Sequence, residues 1–272
     1  MITDDIAVRT KVLITVMTYP HPSRGYQELV CTAGVTEANE WVRLYPIDYR
    51  YRSPDQKFKK YQWIEVDLHT KGAGNDKRKE SRRPELDSIR LCGERIPSDH
   101  GWAKRREIID RLPCHTLNQL KALYEIDKTS LGVVKPTEVL DMEIRPAEEG
   151  WKPEWQNMFS QLTLFGPPQK PLRKIPFTFH YIFKCSDSDK PHLAMCEDWE
   201  LGALFLKESE SLGSDELAAK SVREKYLTEM CGTKKDTRFF MGTLFPYNTW
   251  LVLGVFWPPI PPKNPQRSFA FD

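Results

Sequence analysis

Apolar and polar positions along the first 95 residues follow short-strand patterns. "KVLITVMTY" (11–19) is β-branched and apolar almost without interruption, as a central strand should be. Pro20, Pro22 and Gly25 then break the pattern. "QELVCTAGV" (27–35) and "WVRLYPI" (41–47) flank a connection of hairpin length. "QWIEVDLHT" (62–70) alternates, with Ile64, Val66 and Leu68 on one face and Glu65, Asp67 and His69 on the other. "LDSIRLC" (86–92) reads as a return strand. Several short antiparallel strands in succession predict a small β-barrel-like module over residues 1–97.

The period changes after that. Residues 98–112 and 116–126 carry apolar side chains at helical spacing, the first run being stopped by Pro113. Residues 130–146 read as a turn and strand, and "GWKPEWQNMFSQLTLF" (150–165) as a short helix. "GPPQKPLRKIP" (166–176), with four prolines, reads as a surface crossing. "FTFHYIFKC" (177–185) is an aromatic strand that "HLAMC" (192–196) can pair with, and 196–206 a helix with acids in its first turn. Residues 213–232 give the clearest helix signature: Ser214 as cap, Asp215 and Glu216 in the first turn, Gly232 at the end. Leu217, Val222, Tyr226 and Met230 are its expected buried face. "RFFMGTLF" (238–245) and "WLVLGVFW" (250–257) form a hairpin, followed by a Pro-rich tail. The expected fold class is therefore α+β: a small antiparallel β-barrel-like module, then a mixed α+β module over 98–272.

Composition narrows the function classes. Forty Lys and Arg against 38 Asp and Glu leave a formal charge of +2, which excludes a uniformly basic protein, so any nucleic-acid surface must arise from local clustering. Six cysteines at irregular spacing, with no CxxC, are expected to be reduced thiols in a cytoplasmic protein. The start, "MITDDIAVRTK", lacks the apolar run of a secretory signal. The longest apolar run, Trp250–Trp257, is shorter than the ~20 residues a bilayer requires, so no membrane partner is expected.

Charge clusters in two places. "KGAGNDKRKESRRPEL" (71–86) concentrates Lys77, Arg78, Lys79, Arg82 and Arg83 after two glycines. Guanidinium forks and loop N–H groups are a means of holding phosphates; a solvated loop is the plain alternative. "YRYRSPDQKFKKYQW" (49–63) interleaves Arg50, Arg52, Lys59 and Lys60 with aromatic rings, either a stacking surface for single strands or core rings with a basic wet face. Together they mark residues 49–83 as a candidate nucleic-acid surface, DNA or RNA being left open.

Other constellations are less specific. Glu65 and Asp67, with His69, share a strand face and are the candidate catalytic groups of a Mg²⁺-dependent nuclease or other phosphoryl-transfer enzyme. His180, Cys185, His192 and Cys196 offer four nitrogen and sulfur ligands, yet a five-residue offset puts His180 and Cys185 on opposite strand faces. No metal or cofactor is expected on that ground. The reading is a nucleic-acid-binding protein; the alternatives are the Mg²⁺-dependent enzyme and a protein-interaction module using the aromatic C-terminal sheet or the tail.

Overall fold

The computed structural model describes residues 6–23, 27–70, 72, 75–148, 150–155, 172–244 and 247–261. Most of the segment read as a helix and Pro-rich crossing (156–171) and the tail from 262 lie outside the described residues. The fold is mixed α+β, with many strands and few helices.

The N-terminal part contributes β1 (Ala7–Met17), β2 (His21–Ser23), β3 (Gln27–Leu29), β4 (Thr32–Thr36), β5 (Trp41–Leu44), β6 (Trp63–His69), β7 (Ser81–Arg82) and β8 (Pro84–Cys92). Six of these form one sheet in the order β7-β5-β4-β1-β6-β8, and β2 pairs with β3. β1 is central, and Val12 to Met17 are all buried because both faces of the strand are covered. The pairs are antiparallel except β5 with β7, which run parallel through Arg43↔Ser81 and Leu44↔Arg82. The barrel-like expectation is therefore met only in part: no sheet among the described residues closes. The two edge strands, β7 and β8, are nonetheless separated in sequence by Arg83 alone.

The rest of the chain adds α1 (Ala103–Ile109), β9 (Cys114–His115), α2 (Leu117–Asp127), β10 (Leu131–Val134), β11 (Glu138–Pro146), β12 (Phe177–Cys185) and β13 (Ser188–Met195). It then runs through α3 (Trp199–Leu212), α4 (Asp215–Arg223), β14 (Arg238–Leu244) and β15 (Thr249–Phe256). A four-stranded sheet has the order β15-β14-β10-β9 and a three-stranded sheet the order β11-β12-β13. Thr116 starts α2 with a reciprocal cap: its hydroxyl accepts from Gln119 N–H, and the Gln119 side chain accepts from Thr116 N–H. No helix of the described residues is long and apolar enough to cross a membrane.

Three apolar clusters hold these layers. Val12, Ile14, Phe58, Ile64 and Val66 fill one side of the N-terminal sheet. Val16, Ala33 and Val35 pack instead with Leu131, Val133, Phe240 and Leu253, so the two parts of the chain share a core. Phe179, Tyr181 and Phe183 of β12 meet Phe205 of α3 and Val222 of α4.

The expected helix at 213–232 begins at its Ser214 cap, passes through α4 and finishes as a wider, π-type turn over Glu224–Glu229. Val222, Tyr226 and Met230 are buried as expected, but Leu217 is 49% exposed. Ala218 and Ala219 take the buried positions instead. One residue turns a helix by about 100°, and the small alanines let α3 and α4 approach closely.

Candidate functional site

The basic segment after β6 is clamped. Asp76 accepts from Arg78 at 2.9 Å (Nε) and 2.7 Å (Nη2), and from the Ser81 hydroxyl at 2.7 Å. Arg78 Nη1 also donates to the Thr243 carbonyl at 2.7 Å, tying the segment to β14. These two side chains are only 8% and 4% exposed. Burial alone would raise the Asp76 pKa, but the bonds from Arg78 and Ser81 outweigh it and hold the carboxyl below its ordinary value. Glu80 is buried as well and accepts from the backbone N–H and hydroxyl of Ser130. Arg43 N–H donates to the Glu80 carbonyl at 2.8 Å, which seats β7 beside β5.

The consequence is an alternation in the outward direction. Asp76, Arg78 and Glu80 point inward, while Lys77, Lys79 and Arg83 are exposed. Arg82 is half-buried and donates to the carbonyls of Lys79 and Ser81. Lys79 pairs with Asp127 at 2.5 Å while remaining 57% exposed. Of five clustered bases, Arg78 is a structural clamp and four stand at or near the surface of a pinned backbone.

Lys79 and Arg82 line a cleft of about 450 Å³ between this segment and α2. Trp41, His115, Leu123 and Asp127 share its wall. The indole N–H of Trp41 is buried and has no hydrogen-bond partner among the described residues. Burial lowers the His115 pKa. Neither Trp41 nor His115 has a local sequence signal; only the pairing of β9 with β10, and of β5 with β7, brings them to the basic segment.

The 49–63 stretch contributes less surface. Lys60 is buried with its Nζ 2.7 and 2.8 Å from the two carboxylate oxygens of Asp198. Arg50 pairs with Glu28, and Arg52 with Asp48 and Asp87. Lys59 is exposed. The interleaved rings face inward: Phe58 is 0% and Tyr61 4% exposed, and Tyr49 packs on Phe58 and Trp199. This stretch is largely a core with a paired basic rim.

Glu65 and Asp67 do share a face, half-buried. Arg9 lies across them, with Nη2 3.4 Å from Glu65 and Nη1 3.3 Å from Asp67, so both carboxylates are paired with one guanidinium. His69 departs from that face pattern: it is buried and bonded to Glu85. The four-ligand set is not assembled among the described residues. His180 bonds to the Thr178 hydroxyl, and Cys196 is buried at the end of β13. Cys185 and His192 do come together, with Asp187 as a third member that sequence reading missed; their ligand atoms lie within 4.8 Å of one another.

Comparison with curated proteins finds no match. Similar solved structures include a replication protein A heterotrimer bound to ssDNA, at 7% identity and TM-score 0.36, covering 93% of this chain and 49% of that one. The chain thus spans about half the length of that relative. A murine DNA binding protein bound with ds DNA (10% identity, TM-score 0.31, 95% and 98% covered) and the p204 HINb domain (10% identity, TM-score 0.32, 95% and 100% covered) are also similar. Likenesses of this depth do not assign a function. A family model described as Domain of unknown function (DUF8758) matches residues 8–111. The model described as Domain of unknown function (DUF8757) matches residues 113–272, more than half of the chain, and the chain belongs to that family.

Proposed function

We propose that the chain binds nucleic acid by its phosphate backbone, through Lys77, Lys79, Arg82 and Arg83. The observation that carries this reading is the clamp. Asp76–Arg78 and Glu80–Ser130 fix the backbone from within, so the outward cations are presented by a rigid segment. Less conformational entropy is then lost on binding than from a mobile loop. The adjoining cleft adds the rings of Trp41 and His115 to its wall.

The strand order supports the same reading. β1, β4 and β5 form a meander, β6 pairs with β1, and the continuous run Ser81–Cys92 pairs with β5 at one end and β6 at the other. We read this open sheet, counted so, as the pairing order of a five-stranded, partly open barrel. In oligonucleotide-binding barrels of that kind the loop between the fourth and fifth strands is a binding loop; here that loop carries Lys77 and Lys79, and Arg82 and Arg83 follow at the start of the fifth strand.

The test is titration of labelled single-stranded DNA, duplex DNA and RNA with the full chain at two salt concentrations. Binding that is insensitive to base sequence and weakens steeply with salt supports the proposal. Absence of binding to all three at ~50 mM salt overturns it.

A further inference from the structure

We infer that Cys185, Asp187 and His192 form a zinc site on the β12–β13 hairpin, facing the start of α2. This site is independent of the nucleic-acid reading. Strand geometry assembles it: Phe183 pairs with His192 across the hairpin, and Cys185, two residues on from Phe183, shares its face. Phe183 and Cys185 are both buried, so that face is the inner one. Asp187 lies in the connecting turn, bringing its carboxylate to the same end.

Three observations point to an ion. The thiol, carboxylate and imidazole ligand atoms lie within 4.8 Å of one another. Around tetrahedral zinc such atoms stand roughly 3.5 Å apart, a difference that small side-chain rotations close. Second, His192 Nε2 is buried and has no hydrogen-bond partner among the described residues, although buried polar atoms are nearly always paired. A bound ion supplies that partner. Third, Asp187 is already oriented from outside: the Thr116 hydroxyl donates to its Oδ2 at 2.5 Å while serving as the α2 cap. Metal-binding carboxylates are commonly held in this way by a neighbouring donor.

A mixed sulfur, nitrogen and oxygen set selects zinc over Mg²⁺ or Ca²⁺, which take oxygen ligands. Three protein ligands leave a fourth position for water. Binding converts the Cys185 thiol to a thiolate, its proton passing to solvent. The site differs from the four-ligand set suggested by sequence spacing, since His180 and Cys196 take no part in it.

The experiment uses the full chain stripped with EDTA and titrated first with Co²⁺, then with Zn²⁺. One thiolate-to-cobalt charge-transfer band and about one zinc per chain are expected. Cys185→Ser removes the band. Cys185 is buried, so the surface variant Asp187→Asn provides the second reading: zinc affinity falls tenfold or more with an unchanged circular dichroism spectrum. No band in the wild-type protein overturns the inference, as does zinc affinity unchanged in both Asp187→Asn and His192→Ala.

Discussion

Lys60 and Asp198, 138 residues apart, form a buried ion pair between the turn that precedes β6 and the start of α3. Asp198 also accepts from Glu200 N–H at 2.9 Å and so caps that helix. Burial alone would push the Lys60 ammonium toward neutrality, but the adjacent carboxylate outweighs it and raises the lysine pKa. Lys60→Met leaves a buried carboxylate without its cation and is expected to cost ~3–5 kcal/mol. Lys60→Met combined with Asp198→Asn should cost less than the two single changes added together, because neither partner is then a lone buried charge. Urea denaturation of the four proteins measures this, and strict additivity would contradict a coupled pair.

The α4 face gives a second expectation. Val222 is 0% exposed and Leu217 49%. Val222→Asp buries an unpaired charge and should destabilise by several kcal/mol, whereas Leu217→Asp should stay within about 1 kcal/mol. A melting temperature lowered equally by both changes would show that α4 packs in another rotation.

Asp236 predicts an acid limb of stability. It accepts from Lys135 at 2.7 Å, from Arg106 at 2.9 Å and from Arg238 at 2.9 Å. Burial alone would raise its pKa; these three bonds prevail and hold it well below the carboxylate range. With the folded pKa below the unfolded value of ~3.9, the unfolded state binds the proton first. The contribution is therefore present above that value and lost as pH falls toward the folded pKa. Asp236→Asn should cost ~1–3 kcal/mol at neutral pH. Its deficit against wild type should shrink steadily below about pH 4. Denaturation at stepped pH checks this; a deficit constant down to pH ~2 is the contrary result.

Local pattern made the strands legible. β6 follows directly from alternation, β12 from its aromatic run and β1 from its unbroken apolar run. The basic segment was legible as charge but not as structure. Whether Arg78 faces water or the interior depends on the Thr243 carbonyl, 165 residues away, and Glu80 depends on Ser130. No local pattern encodes such partners. The cleft needs Trp41 and His115 brought together by strand pairing, and the hairpin cluster needs a turn carboxylate, Asp187, that has no distinctive spacing. Leu217 was misplaced for a related reason: Ala218 and Ala219 pack because α3 lies close, and a small side chain signals proximity only once the neighbour is known.

The most direct test of the central claim is the salt dependence of oligonucleotide binding in Lys77→Ala/Lys79→Ala/Arg83→Ala. Each phosphate contact releases close to one condensed counterion, so the slope of log K against log salt should flatten by ~2–3 units, equally for every base sequence. Stability should barely move, because exposed charges contribute little. Arg78→Ala is the internal contrast: it breaks a buried pair and should cost ~3–5 kcal/mol of stability. A flattened slope in a stably folded triple variant is the predicted result. A triple variant that binds with the wild-type slope would contradict the account.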